Sequence, residues 1–284
     1  MKFICRIVFC VGLTLSVFAA QSIQPPSHGE SSASERDADS RQNIPAADQL
    51  IFDDEFEGDS LDLSKWYRCY NWADETQGCS YGPPYDLEWM WKYNVSVSGG
   101  MLNLTAKKND HGHAYTSGIV ITGGSSTSPP SFTFQYGYME MRAKYPAGKG
   151  MWPAFWLLPA DGSWPPEIDA PEWLGNTPMI DYVTIHWGVD HHGHHPSSQR
   201  MYETKLDLAA NFHTYGMDWQ ADHVTWYFDG VPIKNFKNVN AIPHKPMYIL
   251  LNLAVGGWIA PPDKTNHFPA TMLVDYVRVW PHKP

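Results

Sequence analysis

Pro165-Pro166-Glu167-Ile168-Asp169-Ala170-Pro171-Glu172-Trp173-Leu174-Gly175 sets three carboxylates within six residues of an otherwise apolar stretch. Ile168 and Ala170 alternate with the first two acids, the period of a strand with one face on a core. In a regular strand Glu167 and Asp169 share a face and Glu172 points to the other. One extra residue brings Glu172 back. Pro171 has no amide proton to give a ladder, so it marks where a β-bulge supplies that residue. The segment therefore predicts a bulged strand with three acids in a row along one face. A calcium site and a solvated acidic edge are the rival readings; calcium ligands usually converge from a loop, which the alternation here does not describe.

Working outward, the same period recurs. Met101 to Ala106, Tyr138 to Ala143 and His223 to Phe228 alternate polar with apolar, and Asp229-Gly230 gives the third of these a two-residue hairpin turn. Met247 to Leu253 is almost continuously apolar, as a strand covered on both faces should be, and Thr271 to Trp280 is a further β-rich run. No stretch carries a convincing amphipathic helix, and 22 Gly with 23 Pro interrupt the chain too often for long ones. The expected fold class is all-β: a two-sheet antiparallel sandwich or jelly roll.

The chain has 284 residues and a formal charge of −10, so there is no basic field to hold a phosphate backbone and nucleic acid is not an expected partner. Aromatic residues reach 14% against 18% charged, a balance suited to gripping neutral, hydroxyl-rich ligands. Lys2 and Arg6, the apolar run from Ile7 to Phe18 and the small residues around Ala19 read as a secretory signal over residues 1–19. A membrane anchor is the alternative, but the run is shorter than the ~20 residues a spanning helix needs. Cleavage takes the charge to −12 and leaves Cys69 and Cys79, a close pair that in an exported chain favours a disulfide. Residues 20–48 hold no Phe, Trp or Tyr and read as a disordered linker, and 49–284 as one catalytic domain. The expected location is extracellular or periplasmic, as a monomer free of the membrane once the leader is removed.

Adjacent same-face positions lie about 6.5–7 Å apart along a strand. Twist and side-chain reach can bring two carboxyls to the roughly 5–5.5 Å that retaining glycoside hydrolysis uses. On that chemistry Glu167 is the nucleophile, Glu172 the acid/base, and Asp169 a helper that shares a proton with Glu167.

The segment Glu-Ile-Asp-Ala-Pro-Glu resembles the E-x-D-x-x-E signature of glycoside hydrolase family 16, the laminarinase-like jelly rolls. Phe52 to Phe56, Gly99 to Leu102, Gly150 to Trp156, His213 to Trp219, Asn252 to Gly257 and Val274 to Val279 follow the family's order, so the resemblance spans about residues 50 to 281. It implies a concave sheet holding a polysaccharide, with Glu167, Asp169 and Glu172 carried over as the catalytic acids and no cofactor for catalysis. The extra bulge residue is shared with 1,3-β-glucanases, agarases and exopolysaccharide glycanases, whereas lichenases lack it. The implied activity is endo-acting, retaining cleavage of a β-linked polysaccharide, a 1,3-β- or mixed-linkage glucan. A transglycosylase and a non-catalytic β-glucan-binding protein are the alternatives.

Trp152 and Trp156, four apart, share one strand face and offer platforms for sugar C–H faces, and the family places the first of them against substrate. Trp156 reads equally as core. Trp173 and Trp187 are further cleft candidates, and His186 resembles a family position on a strand crossing the groove, with a core histidine as the alternative. The resemblance also implies a structural calcium held by Glu55, the Gly100 carbonyl and Asp275, against an ordinary salt bridge. The run from Asp190 to His195 reads as a solvated loop rather than a zinc or copper site. Asn94 and Asn103 satisfy the N-glycosylation pattern.

Overall fold

A computed structural model describes residues 50–76, 79, 86–189 and 194–284, all within the compact unit that runs from Asn43 to Pro284. The expected leader and linker lie outside the described residues, as do Tyr81 to Tyr85 and Asp190 to Gly193. No α-helix occurs among the described residues, and the all-β class is observed.

Among the described residues the strands form two sheets. The first, which carries the acids, has the order β11 (Ser197–Glu203), β10 (Ile180–His186), β9 (Glu167–Trp173), β8 (Met151–Pro159), β15 (Met247–Val255) and β6 (Ile119–Ile121). The second runs β14 (Val231–Phe236), β13 (Val224–Phe228), β12 (His213–Trp219), β7 (Gly137–Lys144), β16 (Ala270–Trp280), β4 (Met101–Asp110), β5 (His113–Ser117) and β2 (Glu88–Met90), with β1 (Phe52–Asp54) on β16 and β3 (Val95–Ser98) on β4. Every pairing is antiparallel except β2 with β5. The hairpin expected at Asp229-Gly230 joins β13 to β14, both turn residues taking positive φ, 46° and 74°.

Alternation decides which side chains meet between the sheets. Phe155 and Leu157 of β8, Ile168 and Ala170 of β9, Val183 and Ile185 of β10, and Ile249, Leu251 and Leu253 of β15 point into one core, where they join Met139, Met141, Met217, Trp219, Trp226 and Val277 of the other sheet. A second, smaller cluster lies on the other face of the acid-bearing sheet. There Tyr248 and Leu250 of β15, Ile119 and Ile121 of β6 and Leu158 of β8 pack with Tyr70 and the bridged pair Cys69 and Cys79, whose Cα atoms are 6.0 Å apart. This second cluster covers Tyr248 and Leu250 from the side away from the main core, and β15 is buried at all nine positions.

Both glycosylation patterns fall on ordered backbone. The Asn94 side chain is buried and its amide donates to the Thr105 carbonyl and to Thr116 Oγ1, so it has no room for a glycan. Asn103 lies inside β4, with its amide turned to Met101 O and Ser98 Oγ.

Candidate active site

Strand β9 is bulged where Pro171 stands. Asp169 pairs with Thr184 of β10 and Glu172 with Tyr182, so Ala170 and Pro171 together face Val183 alone. On the other side Asp169 pairs with Trp156 and Glu172 with Ala154, leaving the same two residues opposite Phe155. The extra residue puts Glu167, Asp169 and Glu172 on one face, and they line a cleft of about 820 Å³. From the core side, Trp226 Nε1 donates to the Asp169 carbonyl at 2.8 Å and pins the strand beside the bulge.

The cleft floor is built by the neighbouring strands. Trp152 donates through Nε1 to Glu172 Oε1 at 3.1 Å, and Trp156 to Asn252 Oδ1 at 2.8 Å. Both tryptophans line the cleft, and Trp156 also packs against the second apolar cluster. His186 Nε2 lies 3.4 Å from Asp169 Oδ2 and 3.8 Å from Glu167 Oε1.

Burial raises the proton affinity of all three acids, but not equally. Desolvation pushes Glu172 well above the usual carboxylate range, and the charges of Asp169 and Glu167 push it the same way. Asp169 is also well raised, first by burial and then by Glu167, to which it is hydrogen-bonded. Its Oδ2 is buried with no N–H or O–H donor in bonding geometry. Glu167 is raised by burial too, but His186 and a 2.8 Å hydrogen bond from Trp164 Nε1 favour its charged form. The gradient favours a proton on Glu172 and on Asp169 over Glu167, the carboxyl whose charged form the surroundings favour most.

Two expected cleft residues are not there. Trp173 follows Glu172, so alternation after the bulge turns it into the core, where its ring packs on Tyr145 and Nε1 donates to Pro178 O. Trp187 follows His186 and for the same reason packs against the core, beside Phe236. Other residues were not anticipated. Trp164, 51% exposed, covers Glu167; Tyr248, Asn252 and Ala254 alternate along β15; Trp72 and Trp258 flank the cleft from loops. Asn252 within an apolar strand was a readable signal, since a polar group there needs a partner. Trp72, Trp164 and Trp258 sit in loops, where no period tells facing from buried.

Two of the three expected calcium ligands are engaged by arginines. Glu55 holds Arg278 through two hydrogen bonds of 2.7 and 2.9 Å, and Asp275 holds Arg142 at 2.7 Å. The two carboxylates serve different guanidinium groups. Among the described residues one group of three side chains has ligand atoms close enough for an ion, and it is Glu167, Asp169 and His186.

An acid triplet on a sheet face between aromatic walls, in a two-sheet sandwich, defines the class of glycan-active β-sandwich proteins. The sequence profile of "Glycosyl hydrolases family 16" matches residues 84–278, and the chain belongs to that family. It is 36% identical over 250 residues to the endo-1,3-1,4-β-glycanase EglC of Rhizobium meliloti (strain 1021), covering 81% of this chain and 51% of that one. It is 31% identical over 272 residues to glucan endo-1,3-β-glucosidase A1 of Niallia circulans, covering 81% and 37%. The chain thus spans about half or less of the length of these curated relatives. Among solved structures it resembles the endo-β-1,3-glucanase from Pyrococcus furiosus, with TM-score 0.69, 33% identity and coverage of 81% and 93%. The laminarinase catalytic domain from Thermotoga maritima MSB8 gives TM-score 0.70, 31% identity and coverage of 83% and 99%.

Proposed function

We propose that the protein is an endo-acting, retaining glycoside hydrolase of a neutral β-linked glucan, with 1,3- or mixed 1,3-1,4-linkages. The observation that carries this is the bulge that sets two carboxyls of unlike proton affinity along one open cleft. Glu167 attacks the anomeric carbon, and Glu172 gives its proton to the leaving oxygen, then takes one from the water that discharges the glycosyl-enzyme. Asp169 holds the proton that Glu167 gives up and takes up as its charge changes. None of these steps calls on a cofactor. Neutrality of the substrate is supported by the lining: acids, aromatics and amides, with no lysine or arginine among the described lining residues. The relatives named for endo-1,3-1,4-β-glycanase and endo-1,3-β-glucanase activity support the choice of glucan. The protein is proposed to act outside the cytoplasm as a monomer, on the sequence reading of residues 1–19.

The test is a panel of soluble polysaccharides followed by proton NMR of the first reducing ends. Laminarin or a mixed-linkage glucan is expected to be cut to mid-length products whose new ends appear as the β-anomer. First-formed α-anomer rejects the retaining assignment, and products longer than the substrate mark transglycosylation instead of hydrolysis.

We also propose that the first and last strands are joined by the Glu55–Arg278 pair in place of calcium. Exhaustive chelation is then expected to leave the melting temperature unchanged. A ligand bound only by the native state stabilises it by mass action, so a fall of several degrees that added calcium restores overturns this view.

A further inference from the structure

Glu167 and Asp169 stand two apart on β9, and His186 of β10 pairs directly with Glu167. The ladder therefore holds three side chains of metal-ligating type on one sheet face, two along a strand and one across. One ligand atom from each lies within 4.8 Å of the other two. His186 Nε2 is 3.4 Å from Asp169 Oδ2 and 3.8 Å from Glu167 Oε1. Two ligands on a tetrahedral zinc ion, each bound at about 2.0–2.1 Å, are themselves about 3.3–3.4 Å apart. The first spacing already matches, and a small turn of the Glu167 side chain brings in the second.

Proximity alone does not make a site, because acids and histidines also meet as ion pairs. The buried oxygen adds an independent reason. Asp169 is 3% exposed, and its Oδ2 has no hydrogen-bond partner although His186 Nε2 faces it. A desolvated carboxylate oxygen without a donor is a costly group that a cation stabilises. Trp164 Nε1 holds Glu167 by Oε2, which leaves Oε1 as the atom turned to His186. A hydrogen bond to the far oxygen of a ligating carboxylate orients it toward a metal. Glu167 and Asp169 line the cleft, so an ion has a path in and an open position for water.

We propose that Glu167, Asp169 and His186 form a three-ligand site for a divalent cation of the zinc type, and that such a cation shuts the active site by occupying the nucleophile. The closure rests on the reading of the cleft as a glucan hydrolase; the binding does not. An imidazole nitrogen with two carboxylates suits zinc, whereas calcium and magnesium call for more oxygen ligands than three such side chains supply. Glu167 cannot hold a cation and attack an anomeric carbon at once, so zinc and substrate exclude one another.

The experiment titrates zinc chloride into protein freed of metal by chelation and dialysis, follows the heat by calorimetry, and repeats the titration with calcium chloride. Wild type is expected to bind one zinc ion per chain, at least about tenfold more tightly than calcium. His186→Ala and Asp169→Asn are each expected to weaken zinc binding at least about tenfold. A variant with His191, His192, His194 and His195 all replaced by Ala should keep the wild-type affinity. In laminarin hydrolysis zinc should inhibit wild type competitively, with a constant near its Kd, and a chelator should restore the rate. Absence of stoichiometric binding overturns the proposal, as does binding that survives in both ligand variants or that is lost with the loop histidines. Zinc bound at the site with laminarin hydrolysis undiminished overturns the closure. A wild type inactive on every glucan that still loses its zinc in His186→Ala keeps the site and rejects the glucan reading, and the closure with it. Melting temperatures of the metal-free variants report whether each has folded, and if one ligand variant fails to fold the other decides. A rise in melting temperature when zinc is added to wild type, absent in the ligand variants, gives a second reading of the same site.

Discussion

Glu172→Ala is expected to hydrolyse polysaccharide at least about a thousandfold more slowly than wild type, yet to convert an aryl glycoside with a good leaving group into a β-glycosyl azide when azide is added. With Glu167 intact, such a substrate needs no proton on its leaving oxygen, so the glycosyl-enzyme still forms. Azide needs no general base and enters from the face that Glu172 has vacated. Glu167→Ala is expected to lose at least as much hydrolysis, and any rescue should give the α-azide, because azide then attacks from the side of the missing carboxylate. Both variants should keep the wild-type fold, since neither side chain supports the core. The unequal proton affinities of the two acids, with Trp152 on Glu172 and Trp164 with His186 on Glu167, are the basis of the role assignment. Mass spectrometry and NMR of the azide products read the result directly. If Glu172→Ala gives the α-azide and Glu167→Ala the β-azide, the pair is right and the roles are exchanged.

Asp181→Asn is expected to raise thermal stability, and to do so increasingly as pH rises. Asp181 pairs with Trp173 across β9 and β10 and so points to the core. It is fully buried there, no side chain donates to either of its oxygens, the Tyr182 backbone amide alone favours its charged form, and the hydroxyls of Tyr145 and Tyr215 feel its charge. Burial raises its pKa well above the ordinary carboxylate value, with a smaller push from the charge of Glu172. The native state therefore holds a proton that the unfolded chain releases once pH passes about 3.9. The sign follows: the native state is favoured fully below that value, and stability is lost as pH climbs toward the folded-state pKa. Glu88, Asp169 and Glu172 are raised in the same sense and add to the slope. Asparagine is neutral throughout. Calorimetry from pH 4.5 to 8 should show the variant near wild type at the acid end and several degrees above it at the alkaline end, each kcal/mol being worth about 2–4 °C at this size. A difference that does not vary with pH, or a wild type that gains stability toward pH 8, counts against a protonated Asp181.

The strand ladder was legible because it rests on a period of two. Met101 to Ala106, Tyr138 to Ala143 and Thr271 to Trp280 all fall inside observed strands, and Asp229-Gly230 turns as its residues require. The acid triplet was legible for the same reason, with Pro171 giving away the bulge. Trp173 and Trp187 were misplaced although the same alternation, carried one residue past Glu172 and His186, puts the first in the core and the second against it. The ion pairs of Glu55 and Asp275 depend on which arginine the sheet register brings alongside: β1 lies on β16, and β16 on β7. Register between strands more than a hundred residues apart is a property of the folded sheet, and no local pattern carries it. The loop tryptophans were invisible in the same way, because no local period in a loop tells a ring that faces a cleft from one that is buried.

The bulge has a consequence for how the length of this chain can change. Ala170 and Pro171 occupy one place on both flanking strands, so removing one of them leaves Asp169 beside Thr184 and Glu172 beside Tyr182. Loss of a single codon there would flatten the cleft floor without turning an acid inward. A deletion from β9 that the bulge did not absorb would send one acid of the row into the hydrophobic layer. Strand β9 thus contains one position where its count is free and is rigid in number everywhere else, and descendants of this gene could lose a residue at that point while the acids keep their order.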